Sequence, residues 1–214
     1  MTALDFFVTF VYGSISKFQF ETAPLIFTDK GIIIESDKLE FYAFQILKQM
    51  ENTRVKKKYR ILSSNGIDEK LYVNINGQDQ YVFIRGKDVN NPIILNLHGG
   101  PANPDAYFTY EFAKEISEDF TYVSWDQRGC GRTYYKNRNI DPKNETTDFE
   151  QAIADVDELV KYLCLRFKKD KVIIMGHSYG SLLGVNYVSK HPERVERYIG
   201  IGQSISIKDT QKMN

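Results

Sequence analysis

The 214-residue chain has few of the residues that build disulfide frameworks or metal sites: it contains two cysteines and three histidines. Cys130 and Cys164 are too few for a disulfide framework, and no pair of cysteines or histidines has the spacing of metal ligands. The net charge is zero, with 28 basic and 28 acidic residues, so no excess of charge favours nucleic acid or an anionic membrane. The few cysteines and histidines predict reduced thiols and no bound metal or cofactor. The balanced charge predicts no nucleic-acid partner.

The N-terminus lacks an apolar segment long enough for a membrane. Residues 6–12 are apolar, but they follow Asp5 and no basic residue precedes them. A signal peptide has a positive start and a longer apolar core, and a spanning helix takes about 20 apolar residues. We therefore predict a cytoplasmic protein without a membrane partner; the alternative is membrane association through a truncated N-terminal anchor.

Residues 1–65 differ in pattern from the rest and are predicted to form a partly helical N-terminal extension. Apolar residues spaced as on one helix face follow a candidate N-cap at Ser36: Leu39, Tyr42, Ala43, Ile46, Leu47 and Met50. The basic run at residues 54–58 is typical of a solvated linker. The alternative, a nucleic-acid patch, lacks interleaved aromatic residues.

Residues 66–214 alternate between strand and helix patterns, which predicts an α/β fold with a mostly parallel sheet and helices on both faces. An antiparallel hairpin is predicted around the turn signal Asn76-Gly77. Thr147 and Glu150 form a candidate capping box for a long amphipathic helix. The other predicted elements are strands at 92–97, 120–125, 172–175 and 195–201 and helices at 107–116 and 179–190.

An apolar run leads directly into G-H-S-Y-G at residues 176–180, and a helical pattern follows. This is the strand–turn–helix context of a nucleophile elbow, so Ser178 is the candidate catalytic nucleophile. A serine hydroxyl needs a base, and the oxyanion formed by its attack on a carbonyl needs preorganised donors. One predicted donor is the backbone N–H of Tyr179, the residue after the candidate nucleophile.

The second predicted donor is the backbone N–H of Gly100, because two adjacent glycines let a backbone amide face a ligand closely. Gly100 lies in a loop with His98, Gly99 and Pro101, directly after another predicted buried strand. His98 is predicted to brace this loop, although it is also one of the candidate bases. His177 should point away from its neighbour Ser178, and His191 lies in a surface turn, so neither is a favoured base.

The segment Gly129-Cys130-Gly131 is predicted not to bind a dinucleotide, because no third glycine and no clear helix follow it. Arg128 and Arg132 lie near Cys130 in the sequence and would lower the pKa of its thiol if they approached it. The favoured interpretation of Cys130 is a small loop residue.

Four motifs between residues 90 and 205 resemble the proline iminopeptidase group of α/β-hydrolases, peptidase family S33. They are H-G-G-P at 98–101, W-D-Q-R-G-C-G-R at 125–132, G-H-S-Y-G-S at 176–181 and H-P-E-R-V at 191–195. The D-Q-R-G-x-G-R block separates this group from general esterases. Two positions depart from the family pattern: Ala102 stands where glycine is usual, and Cys130 stands where serine is usual.

The resemblance implies a serine hydrolase of the α/β-hydrolase fold, an aminopeptidase that forms an acyl-enzyme on Ser178 and removes an N-terminal residue such as proline from a small peptide substrate; an ester is the alternative substrate. In the family the triad acid and base follow the serine, after a helical cap, whereas here Asp209 and His191 occur in the opposite order. The resemblance thus implies that residues 66–214 are an incomplete core, truncated after about the sixth strand, that a downstream polypeptide would complete. The alternatives are a carboxylesterase or lipase-like enzyme and a non-catalytic fragment or pseudoenzyme; epoxide hydrolases and dehalogenases are disfavoured because they carry aspartate at the elbow.

Overall fold

The computed structural model describes residues 26–28, 31–33, 54 and 57–204. The chain divides into two units, Met1–Arg54 and Val55–Asn214. In the first, strand β1 (Ile26–Thr28) pairs antiparallel with β2 (Gly31–Ile33). The apolar segment 6–12, the predicted helix after Ser36 and Asp209 lie outside the described residues. Within the described part of the chain, every helix is too short or too polar to span a bilayer.

The second unit is built on a six-stranded sheet. Its strands, in spatial order, are β3 (Ile67–Ile75), β4 (Gln78–Gly86), β6 (Thr121–Trp125), β5 (Ile93–Leu97), β7 (Val172–His177) and β8 (Val195–Ile201). The pairings from β6 through β5 and β7 to β8 are parallel, whereas β3, β4 and β6 pair antiparallel. The predicted α/β fold with a mostly parallel sheet is confirmed.

The β3–β4 hairpin follows from its sequence. Asn76 and Gly77 form the two-residue turn with φ values of 46° and 81°, which is the left-handed backbone that Asn-Gly favours in hairpins. The ladder of the hairpin runs from Ile67 opposite Gly86 to Ile75 opposite Gln78. The hairpin forms one edge of the sheet.

The central strands β5 and β6 are buried on both faces by helices. On one face, Leu95, Val123 and Ile174 belong to the main core, which is covered by α3 (Phe149–Phe167) and α4 (Tyr179–Lys190). On the other face, Ile94, Tyr122 and Ile173 pack against Ala113 of α1 (Thr109–Asp119). The alternation of the strand residues between two apolar cores is the physical reason for their near-continuous hydrophobicity.

A short helix, α2 (Gly131–Asn137), follows the segment Gly129–Gly131, and the expectation that no helix begins there is wrong. The helix depends on tertiary hydrogen bonds: the Asp126 carboxylate accepts from the Arg132 N–H at 2.9 Å. Thr133 Oγ1 accepts from the Tyr81 N–H at 2.9 Å. Tyr81 belongs to β4 and lies just before the residues of that strand that pair with β6. Seven residues carry too little periodicity to reveal such a helix in the sequence.

The predicted capping box of α3 is also wrong, by one residue. The N-cap is Asp148, whose side chain accepts from the Gln151 N–H at 2.7 Å. Glu150 instead pairs with Lys190 Nζ at 2.6 Å. Asp148 satisfies a free N–H of the first helical turn in the way that Thr147 was expected to do.

The division between the two units falls after Arg54, whereas the sequence pattern placed it after residue 65. Tyr59 is buried with Tyr81, Phe83 and Tyr110 of the second unit. The predicted linker nevertheless carries exposed charges, because Lys57 and Lys58 are both exposed.

Candidate active site

Ser178 occupies a strained turn at the carboxyl end of β7. The strand ends at His177, α4 begins at Tyr179, and Ser178 between them has φ 51° and ψ −118°. Non-glycine residues avoid such backbone angles, which cost on the order of 1–3 kcal/mol. The turn is held because the Ser178 N–H donates to Ile201 O of β8 at 2.9 Å, and the Ser178 carbonyl accepts from the Ser181 N–H at 2.9 Å.

The two glycines that flank this turn are required by close packing. A Cβ atom at Gly180 would lie 1.9 Å from Leu97 O, and one at Gly176 would lie 2.4 Å from Gly180 O. The first turn of α4 therefore packs directly on the end of β5 with no room for side chains. The backbone segments around Ser178 approach each other so closely that both glycines of the G-x-S-x-G pattern are required.

The glycine loop at residues 98–101 lies at the same end of the sheet as Ser178. A Cβ atom at Gly99 would be 3.3 Å from Ser178 Cβ and 3.0 Å from His177 Nδ1. Gly100 has φ 122°, and a Cβ atom there would lie 2.7 Å from Ala102 N. Within residues 57–204, neither the Gly100 N–H nor the Tyr179 N–H donates to another group. Among the described residues, both amides of the predicted oxyanion site therefore lack a competing acceptor.

Ala102, which stands where the resembled family usually has glycine, adopts φ 66°. This left-handed backbone is unfavourable for a residue with a Cβ atom, by about 1–2 kcal/mol. The loop after Pro101 therefore keeps a conformation suited to glycine although its residue has changed.

His98 connects the glycine loop to the loop that follows β6. Its ring is fully buried, Nδ1 lies 2.9 Å from Gly99 O, and Nε2 accepts from the Gln127 N–H at 3.3 Å. The Gln127 side-chain amide returns a bond to His98 O at 3.3 Å. Burial lowers the pKa of His98, which favours the neutral ring that these bonds require. This arrangement suits a bracing residue and leaves neither ring nitrogen for a proton transfer.

Cys130 is a buried loop residue. Its Sγ donates to Gln127 O at 3.1 Å, and burial raises the pKa of its thiol to about 12. Arg128 and Arg132 do not lower that pKa, because they pair with Asp155 and Asp126 respectively. The interpretation of Cys130 as a small packed residue is confirmed.

A buried ion pair that the sequence did not predict lies behind this loop. Arg128 Nε and Nη2 donate to the two carboxylate oxygens of the fully buried Asp155 at 2.7 and 2.9 Å. The same carboxylate accepts from the side-chain amides of Asn76, Gln80 and Gln151 at 2.8–2.9 Å. One signal was available: Asp155 stands among core-facing positions of the amphipathic helix α3.

No base is brought to Ser178 by the described residues. The Ser178 hydroxyl makes no hydrogen bond within residues 57–204, a range that contains all three histidines of the chain. His177 is exposed, and His191 lies at the end of α4, where its ring contacts Tyr187 with centroids 5.0 Å apart. In the same range, no three histidine, cysteine or acidic side chains are grouped as a metal site.

The chain is similar in sequence to a known protein family and to several curated proteins. Residues 92–214 match the sequence profile of the alpha/beta hydrolase fold family. The chain is 33% identical over 139 residues to the probable aminopeptidase YbaC of Bacillus subtilis, covering 65% of this chain and 42% of that protein. It is 30% identical over 127 residues to a proline iminopeptidase of Saccharolobus solfataricus, covering 58% of this chain and 37% of that protein. The chain thus spans about two-fifths of the length of these curated relatives.

Solved structures show the same architecture. A proline iminopeptidase-related protein of Thermus thermophilus superposes with a TM-score of 0.52 at 26% identity, covering 63% of this chain and 44% of that one. A laboratory-evolved potato epoxide hydrolase superposes with a TM-score of 0.51 at 22% identity, covering 63% of this chain and 39% of that one, which shows a shared fold.

Proposed function

Because the chain belongs to the alpha/beta hydrolase fold family, we propose that it is a serine hydrolase of the aminopeptidase type with Ser178 as its nucleophile. The proposed substrates are short peptides, from which an N-terminal residue such as proline is removed. The observation that carries the proposal is the strained Ser178 turn at the N-terminus of α4, with Gly99 of the glycine loop beside it. The names of the aminopeptidase and iminopeptidase relatives support the substrate class.

In the proposed reaction, Ser178 Oγ attacks the carbonyl carbon of the first peptide bond while a base takes the hydroxyl proton. The carbonyl oxygen becomes an oxyanion, which accepts hydrogen bonds from the Gly100 and Tyr179 N–H groups. Because Tyr179 is the first residue of α4, the positive end of the helix dipole adds to this stabilisation. Collapse of the intermediate expels the amine, which takes a proton, and water then releases the N-terminal residue from the acyl-enzyme.

The base is the part of this mechanism that the described residues do not supply. Without it, removal of the serine proton is unassisted, and only binding and the oxyanion donors accelerate the reaction. We therefore expect the 214-residue chain by itself to be a slow catalyst. The same observation favours a second candidate function, a non-catalytic protein that binds such substrates; a carboxylesterase differs only in the bond that it cleaves.

A fluorophosphonate probe tests the proposed nucleophile. We expect slow covalent labelling that peptide mapping locates at Ser178, and that Ser178→Ala abolishes. Ser189→Ala, which removes an exposed serine from the same helix, serves as the matched control and should label at the wild-type rate. Labelling that persists in Ser178→Ala would refute the assignment.

Turnover of a prolyl anilide and of a nitrophenyl ester separates the candidate functions. The chain alone should hydrolyse both poorly. Adding, as a second polypeptide, the part of the relatives that lies beyond their match to this chain should raise prolyl turnover and the labelling rate together. A gain in ester turnover alone would favour the carboxylesterase, and no gain in either would favour the non-catalytic protein.

A further inference from the structure

A second cavity, of about 500 Å³, lies at the antiparallel edge of the sheet, on the face that α1 covers. Three strands separate β3 at this edge from β7, which carries Ser178 at its end, so the cavity is distinct from the candidate active site. The described residues that line it come from β3, from α1 and from the chain before β3: Asp68, Lys70, Tyr110, Lys57 and Arg60.

Positive charge dominates this lining. Lys57 and Arg60 are exposed, and neither has a hydrogen-bond or ion-pair partner within residues 57–204. Lys70 contributes a third positive charge, with its Nζ 4.7 Å from the ring centroid of Phe83 and 4.8 Å from that of Tyr110. Lys57 belongs to the basic run that the sequence pattern assigned to a solvated linker. The structure places it instead beside two further cations around one volume.

Asp68 is the one carboxylate among the described residues of the lining, and its charge is already compensated. Its Oδ2 accepts from Arg85 Nη1 at 2.6 Å. Glu111, the neighbour of Tyr110 in the chain, is also engaged, because it pairs with Lys58 at 3.6 Å and accepts from the Tyr59 hydroxyl. The charges of the three lining cations therefore remain uncompensated by these carboxylates.

Arg85 adds positive potential behind the cavity wall. Its guanidinium is almost fully buried, and its Cζ lies 4.9 Å from the ring centroid of Tyr110, which lines the cavity. Its Nη2 donates to the Tyr59 carbonyl oxygen, whereas its Nε is buried and has no partner within residues 57–204. A buried cation with an unmet donor favours negative charge nearby, because the low dielectric of the interior screens it weakly. The buried wall and the exposed rim therefore act in the same direction.

We propose that this cavity binds a small multivalent phosphate, with its oxygens held between Lys57, Arg60 and Lys70. The inference goes beyond the proposed hydrolase activity and does not depend on it. A guanidinium donates two parallel hydrogen bonds to a phosphate, and ammonium groups bind it as point charges. A tetrahedral phosphate presents oxygens in several directions and can meet three separated cations at once, whereas a carboxylate presents two oxygens in one plane. The balanced charge of the whole chain favours such a small ligand over nucleic acid.

Titration calorimetry of the 214-residue chain with pyrophosphate, in metal-free buffer near neutral pH, tests the site. We expect saturable binding at one site, which weakens as the salt concentration rises because the rim is exposed. Citrate carries a similar negative charge on carboxylates and should bind at least about threefold more weakly. ADP carries the same diphosphate on a nucleoside. Equal affinities for ADP and pyrophosphate would show that the phosphate chain alone is held, and tighter binding of ADP would identify a nucleotide as the ligand.

Two matched pairs of variants locate the ligand. Arg60→Gln should weaken pyrophosphate by about three- to tenfold, whereas Arg197→Gln, at an exposed arginine of β8 on the opposite edge of the sheet, should leave the affinity unchanged. Lys57→Gln should likewise weaken pyrophosphate, whereas Lys171→Gln, at an exposed lysine outside the cavity, should not. All four side chains are exposed, so the variants should fold like the wild type, which urea denaturation checks.

The inference would be overturned by the absence of saturable pyrophosphate binding up to about 10 mM, by citrate binding as tightly as pyrophosphate, or by equal effects of Arg60→Gln and Arg197→Gln. A single-stranded oligothymidylate that binds more tightly than pyrophosphate, and loses that affinity in Arg60→Gln, would also overturn it and assign this surface to nucleic acid.

Discussion

His98 is the residue that links the two loops around Ser178, and its protonation state matters to both. The buried ring accepts a hydrogen bond at Nε2 from the Gln127 backbone, so a proton there would break that bond. Burial holds the pKa of His98 below its ordinary value of 6.5. The neighbouring Asp126 is fully buried, and burial raises the pKa of its carboxyl above the ordinary 3.8.

These shifts act on stability with opposite signs. The unfolded chain binds a proton at histidine near pH 6.5, whereas folded His98 stays neutral, so its contribution is present above that pH and is lost as the pH falls. Folded Asp126 binds its proton more readily than the unfolded chain, so its contribution is present below pH 3.8 and is lost as the pH rises through the folded pKa.

We predict that the free energy of unfolding decreases as the pH is lowered from 7 towards 5, by at most about 1.4 kcal/mol per pH unit from His98. His98→Gln should be less stable at pH 7 but should show a shallower pH dependence over this range. Urea denaturation at several pH values measures both slopes. His177→Gln, at an exposed histidine, is the control and should keep the wild-type slope; equal slopes for His98→Gln and the wild type would contradict the prediction.

At the scale of elements, α3 shows how one residue decides where a helix begins. Asp148 has extended backbone angles, with φ −120° and ψ 172°, and caps the helix through the Gln151 N–H. Thr147 and Glu150 have the types and spacing of a capping box, but they make no such contacts within residues 57–204. The start of α3 also forms one wall of a cavity beside Ser178, which Pro101 and Tyr179 line as well.

We predict that Asp148→Ala lowers the free energy of unfolding by about 1 kcal/mol, because it leaves a first-turn N–H without an acceptor. Thr147→Ala and Glu150→Ala should each change it by less than about 1 kcal/mol, because both residues are exposed and the Glu150–Lys190 ion pair is open to solvent. Urea denaturation at pH 7 compares the three variants. If Thr147→Ala lowers the free energy of unfolding as much as Asp148→Ala does, the predicted capping box of Thr147 and Glu150 is supported instead.

At the scale of the whole second unit, the Arg128–Asp155 pair joins three parts of the chain. Arg128 comes from the loop after β6, Asp155 from α3, and Asn76 from the turn of the β3–β4 hairpin. Arg128 also donates to the Asn76 carbonyl oxygen at 3.2 Å. The antiparallel edge of the sheet is thereby tied to the loop that braces the candidate active site through Gln127 and His98.

We predict that Asp155→Ala lowers the free energy of unfolding by about 3–5 kcal/mol, because it leaves the buried Arg128 guanidinium without its counter-charge. Asp155→Asn keeps part of the hydrogen bonding and should cost less, which preserves a measurable variant if the alanine form does not fold. Glu158→Ala, at a surface position of the same helix, is the control and should stay within about 0.5 kcal/mol. A cost below about 1 kcal/mol for Asp155→Ala would show that the pair is dispensable.

The amino-acid sequence by itself determined the order and type of most elements and the position of Ser178. Strand alternation, the helix period, the Asn76-Gly77 turn and the G-x-S-x-G spacing are properties of neighbouring residues, so they can be recognised without the fold.

Only the tertiary structure decided that α2 forms, that Asp148 caps α3, that His98 is buried as a neutral brace and that Arg128 pairs with Asp155. The α2 helix, the burial of His98 and the Arg128–Asp155 pair depend on contacts between residues far apart in the chain, which no local pattern reports. The cap of α3 is a local contact, but Thr147 and Asp148 are both residue types that cap helices, so the sequence alone does not choose between them. The cavity beside Ser178 also depends on distant contacts, because its walls come from the glycine loop, the loop after β6, α3 and α4 and exist as a surface only once these have packed together.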